Sequence, residues 1–528
     1  MEKEKESEKR LEKRKESIIK WFKDPYNLTL VGIIVFSIVI EIYYFILTKN
    51  QPLWYDEAEY MSGALNWLKG VPFHFSPQRP VFFHFLIFLL MSIGFNETAI
   101  KFALSLLPAI LLVPVTYFLV KDMYNKKIAL ISSFIMAFFW MNIFYSMRVM
   151  TDMIGLLFGL LSFYCFWQGY VKKKSKYYLW LMGFFISLST MIRLIGVLYG
   201  LTLVLYLLFT DRLKFLKNKD LWIAVLIAVL TTCPLLVWYY NYHGNVLSLI
   251  SSNVGGSHLG STANPIAWNL LNYIPAYLYT TLLIMFFIGL FTLVDLVMGF
   301  DMFFKRKRKD LDSDFFTILS LLFVLAFFIF YFRGAEDRWM IAMALPLFVF
   351  AAKGIVFVSD IIGKNINKYL GVAFILIVLI LGAYAHLTFA NTLVDVKKDS
   401  YLQVKEAALW IKANSQPGDI IFSNSITQNT YYSERETIPF GENETEFWAS
   451  VKAKNPRYLV ASVFEAYPDW ATANPSEKFK TTVQPVNAFF LDAEQKQVAL
   501  VIYELKSPAT TPLLPPVSSG NKTNSSSK

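Results

Sequence analysis

The chain is 528 residues long, 55% hydrophobic and only 17% charged, with a formal net charge of +11. A soluble domain carries about a quarter charged residues, so this composition excludes one large soluble domain, and its hydrophobicity excludes disorder over most of the length. The positive charge is scattered over short loops between apolar runs of about twenty residues, a bilayer's thickness, which argues against a nucleic-acid face and for an α-helical polytopic membrane protein.

Residues 1–27 read as a charged cytoplasmic arm, with alternating Glu and Lys/Arg and no apolar core of a signal peptide. Eleven spans are expected near 28–48, 99–120, 128–146, 152–170, 177–192, 194–210, 221–240, 272–300, 315–332, 339–359 and 368–390. Residues 80–95 are apolar but short, and are expected to lie along the outer interface or re-enter it, inside a first external loop of 49–98. With the arm inside, the basic loops at 121–127, 172–176, 211–220, 305–309 and 364–368 also fall inside. That gives 27 Lys and Arg on the inner side against 6 on the outer. A crossing at 80–95 would invert every later loop. Cys165 and Cys233 both lie in apolar runs, so no disulfide framework is expected.

After the membrane domain, 28–390, the pattern changes. YLQVKEAALWIKANS predicts a helix, and GDIIFSNS, PRYLVAS and QVALVIYEL predict short strands. These make 391–506 a small extracytoplasmic α/β domain, followed by a low-complexity tail, 507–528. Sequons stand at Asn443, Asn521 and Asn524.

The first external loop holds adjacent carboxylates, Asp56 and Glu57, directly after a span. Asp56 has two readings: the N-cap of a helix over 57–68, with Glu59 completing a capping box, or a catalytic carboxylate. Other outer-face ionisable residues are Arg79 before Pro80, Arg148 and Asp152 at a junction of two spans, Arg193 within an apolar run, and Glu336, Asp337 and Arg338 at a later junction. Charges near membrane depth are costly, which makes them functional candidates. Snorkelling and an i,i+4 pair of Arg148 with Asp152 are the structural alternatives. Glu41, mid-span, reads as a satisfied polar contact.

The five histidines map to the outer half without close metal-ligand spacing, and no phosphate-binding glycine loop, dinucleotide fingerprint or zinc pattern is present. Trp238, Tyr239, Tyr240 and Tyr242 suit either sugar stacking or an interfacial aromatic belt.

Taken in order, Asp56-Glu57, Arg79-Pro80, the Arg148…Thr151-Asp152 junction and Glu336, Arg338, Trp339 and Pro346 resemble the GT-C glycosyltransferases. The likeness is to the polyprenyl-phosphate-sugar-dependent branch, which includes dolichyl-phosphate-mannose protein mannosyltransferases and lipid A aminoarabinose transferases. It covers roughly 28–360. The resemblance implies Asp56 as catalytic base and Arg79 on the donor phosphate, with no cofactor required. Two neighbouring carboxylates could hold Mg2+ or Mn2+, but this branch implies none is needed. The usual Pro-Pro after the basic residue is here Pro80-Val81, and the WWDYG-type motif of oligosaccharyltransferases is missing.

The chemistry agrees with the inventory. Moving a sugar from a polyprenyl phosphate to a hydroxyl on protein, glycan or lipid expels a stable anion. Cations must hold that anion and one carboxylate must take a proton. A single displacement inverts the anomeric centre, whereas retention would need a second carboxylate as nucleophile, Glu57 or Asp152. Arg148, Arg193, Glu336 and Arg338 complete the substrate-binding candidates. The alternative class is a transporter or lipid flippase, though no internal repeat is visible. A receptor built around the C-terminal domain would leave the membrane charges unexplained.

Overall fold

The computed structural model describes residues 21–246, 271–293, 309–332 and 336–506 apart from 442, 473 and 493, with Glu16 and Ser252 besides. Most of the charged arm, the loop 247–270 with His258, the basic loop 305–308 and the tail with Asn521 and Asn524 lie outside the described residues.

Helices stand at all eleven expected places. They are α1 (Pro25–Thr48), α4 (Glu97–Met123), the pair α5 (Lys126–Phe138) and α6 (Trp140–Ser146), α7 (Asp152–Val171) and α8 (Lys176–Ile192). Then come α9 (Leu194–Lys217), α10 (Lys219–His243), α11 (Leu271–Phe291), α12 (Leu311–Phe330), α13 (Asp337–Asn365) and α14 (Lys368–Lys397). Among the described residues, nine are long and apolar enough to cross a membrane, or ten if the pair α5–α6, bent by 48°, is one span. α8 has 17 residues, about 25 Å at 1.5 Å per residue, slightly short of a 30 Å hydrocarbon core. Between α1 and α4 lie two shorter helices, α2 (Tyr55–Lys69) and α3 (Val81–Ser92). At 12 residues, α3 is roughly 18 Å long and cannot span.

The polar connections end in helix caps. Asp24 accepts from the Tyr26 amide at 3.0 Å, with Pro25 at the first helical position. Asn125, Ser175, Asn218 and Asn367 do the same before α5, α8, α10 and α14. Helices α11 and α13 meet through glycines. A Cβ on Gly289 would sit 1.8 Å from the Phe350 carbonyl oxygen, and one on Gly354 would sit 1.9 Å from that of Met285. Only the missing side chains permit this crossing. Glu41 is buried in α1 and accepts from Asn142 Nδ2 at 3.1 Å and from the Ser146 hydroxyl, the polar contact expected of it.

The chain divides after Ser400 rather than at 390, because α14 runs on to Lys397. The second unit contains α15 (Leu402–Asn414), β1 (Ile420–Ser423), α16 (Ile426–Ser433), β2 (Glu436–Ile438), α17 (Glu444–Lys454), β3 (Tyr458–Ser462), α18 (Glu477–Thr482), β4 (Val483–Phe490) and β5 (Val498–Leu505). The sheet order is β2-β1-β3-β5-β4, with β1 parallel to β2 and β3, and β5 antiparallel to β3 and β4. β3 is central and buried along its whole length. Ile421, Tyr458 and Val460 pack under α15, while Phe422 and Leu459 face Phe440 and Phe447 on the other side. Asn443 caps α17 through its side-chain oxygen.

Candidate active site

The Asp56-Glu57 pair is split by its helix. α2 begins at Tyr55, two residues earlier than expected, and Trp54 rather than Asp56 holds the cap position. Glu57, in the third helical position, turns back to accept from the Trp54 amide at 2.8 Å, the reciprocal half of a capping box. Its other contacts are the Val149 amide at 2.7 Å and Arg148 Nη1 at 3.0 Å. The Arg148 guanidinium carbon lies over the Trp54 ring, 3.4 Å from the centroid. The two side chains are 1% and 2% exposed, so Glu57 fastens α2 to the 146–150 junction and faces no open space. The expected Arg148–Asp152 pair does not form. Asp152, buried at the start of α7, pairs instead with Arg193 at the end of α8. Packing turns Arg148 toward α2, and the partner of Asp152 comes from a neighbouring helix.

Asp56 points the other way, and its side chain keeps 22% of its surface exposed. One carboxylate oxygen takes Arg79 Nη2 at 2.6 Å, and the other takes Arg338 Nη2 at 3.0 Å. Arg79 Nε reaches Glu59 at 2.5 Å, and Arg338 Nε reaches Glu336 at 2.6 Å. Asp56 and Glu59 share one face of α2 at i,i+3 spacing. Burial would raise the Asp56 carboxyl, but Arg79 and Arg338 outweigh it and hold the group below the usual range. Glu59 goes up instead, because burial dominates and the Asp56 charge adds to it against the single pull of Arg79. Two carboxylates on one helix face are thus driven in opposite directions.

Each arginine is held from behind. Tyr239 at the end of α10 donates to the Arg79 carbonyl at 2.8 Å. Tyr242 donates to the Phe73 carbonyl at 2.8 Å and stacks on Trp238, centroids 4.8 Å apart. Three of the four aromatic residues noted in the sequence therefore contact the loop that presents Arg79, Tyr242 with much of its ring still exposed, while Tyr240 points away from these contacts to the surface. Tyr277 of α11 donates to the Asp337 carbonyl at 2.8 Å, fixing the turn that carries Arg338. Lys101, buried in α4, donates to the Gln51 carbonyl at 3.0 Å and ties down the segment leading into α2. Glu59 was visible in the sequence only as a cap partner, and Lys101 not at all; both depend on contacts between elements.

His84 of α3 is buried among the rings of Tyr60, Trp67 and Phe75, where burial pushes it down to about 3, so it stays neutral. Among the described residues, no three His, Cys, Asp or Glu side chains converge as a metal site. The arrangement offers one partly open carboxylate flanked by two guanidinia with forked donors, suited to an oxyanion beside a proton acceptor.

Residues 78–238 match a family model described as dolichyl-phosphate-mannose-protein mannosyltransferase. That stretch contains Arg79, Arg148, Asp152 and Arg193 but stops short of Asp56 and Arg338 at either end. In fold the chain is similar to ArnT from Cupriavidus metallidurans bound to undecaprenyl phosphate. The TM-score is 0.61 at 12% identity, over 89% of this chain and 98% of that one. It is also similar to the oligosaccharyltransferase AglB from Archaeoglobus fulgidus in complex with an inhibitory peptide and a dolichol-phosphate. Here the TM-score is 0.60 at 13% identity, over 93% of this chain and 75% of that one. No curated protein matches the sequence. The chain has the GT-C fold.

Proposed function

We propose that this membrane protein is a glycosyltransferase that moves a sugar from a polyprenyl phosphate to a hydroxyl acceptor, with inversion. The observation that carries the reading is the shared carboxylate of Asp56, held between guanidinia from the first loop and from the start of α13. The acceptor oxygen attacks the anomeric carbon as the bond to the phosphate oxygen breaks. The acceptor's proton passes to Asp56, and polyprenyl phosphate leaves as a monoester. Arg79 and Arg338 take up the charge that develops on the leaving oxygen, which removes the need for a general acid. Asp56, held in its charged form by the same two arginines, is ready as base at neutral pH. Glu57 has no place in this chemistry, and Arg148, Asp152 and Arg193 brace the wall of the site. The residue set works without Mg2+ or Mn2+, and transfer that survives EDTA is the expected result. The match over 78–238 and the likeness to proteins bound to dolichol-phosphate and undecaprenyl phosphate support a lipid donor.

For orientation, we infer a cytoplasmic N-terminus and an extracytoplasmic C-terminal unit. The support is the bias of loop Lys and Arg, together with an odd number of crossings among the described residues when α8 and the bent pair are counted. Single cysteines at 174 and 307 should label only from the inside; labelling from outside refutes the orientation. Asp56→Asn should abolish transfer in proteoliposomes while the protein remains folded. Full activity in that variant refutes the assignment of the base.

A further inference from the structure

We propose that the membrane unit holds a second ligand site, for one bilayer phospholipid with a zwitterionic, amine-bearing headgroup, at the far end of α8 from Arg193. Lys176 and Arg193 bracket this helix of 17 residues, which places the second site roughly 25 Å from Arg193. There a cavity of about 530 Å³ opens between the turn before α8 and the α9–α10 connection, within the usual size of a ligand pocket. Among the described residues, its charged walls are Lys173, Lys176 and Lys214 on one side of the balance and Asp211, Asp220 and Asp312 on the other. Neither Lys173 nor Lys214 forms an ion pair with a described residue. Lys173 also sits at φ 52°, a left-handed conformation that long side chains rarely adopt. Asp211 accepts from the Tyr170 hydroxyl, which fixes its carboxylate at the rim.

Directly beside it lies a second cavity of about 290 Å³, walled by apolar side chains such as Met182, Leu203 and Val225, and Phe215 lines both. An ion alone would gain nothing from the apolar groove, and a bare hydrocarbon nothing from the charged one. The joined pair fits an amphiphile with its head among the charges and a chain along α8, α9 and α10. Lysine-bearing pockets between spans are a recurrent way of gripping a lipid headgroup. Among the described residues, Asp211 and Asp220 stand with Lys173, Lys176 and Lys214; such mixed walls disfavour a purely anionic head and favour one that carries both signs, and carboxylates accept hydrogen bonds from a primary ammonium but not from a quaternary one. Under the function proposed above, the sugar donor is not the occupant, because its phosphate must reach Asp56 on α2. Only this exclusion rests on the reaction proposed above.

The test is native mass spectrometry of the full chain titrated separately with phosphatidylethanolamine, phosphatidylglycerol and phosphatidylcholine. One phosphatidylethanolamine should be retained at a tenfold lower concentration than either of the others. Lys173→Ala/Lys214→Ala and Ala228→Phe, which fills the apolar groove, should each weaken retention tenfold or more. Equal binding of the three lipids, tighter binding of phosphatidylglycerol, or retention unchanged in both variants overturns the proposal. So does displacement by soluble phosphoethanolamine as effective as by intact lipid. Should the variants fail to fold, a photoactivatable phosphatidylethanolamine on the wild-type chain decides. Crosslinks within 166–229 support the site, and crosslinks confined elsewhere overturn it.

Discussion

Glu59 makes the sharpest test of the proposed function, because under that reading it and the donor phosphate want the same arginine. Three carboxylates, Asp56, Glu59 and Glu336, face two guanidinia in the free protein, so an arriving phosphate meets an excess of negative charge. With the Arg79 and Glu59 charge centres roughly 4 Å apart, their attraction is about 4 kcal/mol at an effective dielectric of 20. A phosphate that pushes the carboxylate back to about 8 Å forfeits about half of that, roughly 2 kcal/mol or some 30-fold in affinity. Glu59→Gln removes the competitor but keeps the shape, so the donor KM should fall by about 10- to 30-fold at alkaline pH, with kcat little changed. The sign follows from the raised Glu59 carboxyl. Below its folded pKa the wild type is already protonated and resembles the variant, and the gap opens as pH rises through that value. Asp56, held low, stays ionised throughout and does not confuse the profile; Tyr60, raised by burial, also keeps its charge state. By linkage, a carboxyl raised in the folded state lends stability at low pH that disappears as pH rises through its folded value. The Gln variant should thus melt no lower than wild type at neutral pH. Initial rates in proteoliposomes between pH 5 and 9, with the donor varied, supply the measurement. A KM ratio independent of pH, or a KM that rises in the variant, refutes the competition.

Other consequences can be measured on the same protein. Glu57→Gln leaves Arg148 buried with one charge partner fewer and should cost about 3–5 kcal/mol, seen as a large drop in melting temperature; the double change with Arg148→Met should recover part of it. Tyr239→Phe deletes one hydrogen bond to the Arg79 carbonyl, worth about 0.5–1.5 kcal/mol, and should raise the donor KM up to tenfold with little change in melting. Gly354→Leu forces α11 and α13 apart and should destabilise by about 1–3 kcal/mol or more; a variant as stable as wild type would mean that the crossing is looser than described.

How far the sequence could be read depends on the range of the physics involved. Span positions were legible because apolar length and terminal caps are local, as Asp24-Pro25 and Asn367 illustrate. β1, β3 and β5 were legible because each is a short apolar run. β4 was not, since Pro485 and Asn487 interrupt its pattern at a register shift, and β2 has only three residues. The candidate charges could be named, but their pairing could not. Arg148 chooses Glu57, 91 residues away, over Asp152 four residues along the chain, and only helix packing decides that. Glu57 looked as available as Asp56 because a helix of unknown start has no known face. Once α2 begins at Tyr55, consecutive carboxylates point about 100° apart, and one is fastened while the other is left partly open.

The Arg338–Asp56 contact joins residues separated by 282 positions, and this gives the site a birthday. At about 5–20 residues per second, the ribosome delivers Arg338 roughly 15 to 60 seconds after Asp56. Throughout that interval the nascent chain can form the Asp56–Arg79 half of the clamp but not the whole. A chain stalled or truncated before α13 would display the aspartate and one arginine at the membrane surface without the second cation. On the function proposed above, catalytic competence arrives only once α13 has been made, and copies truncated before it should consume no donor lipid.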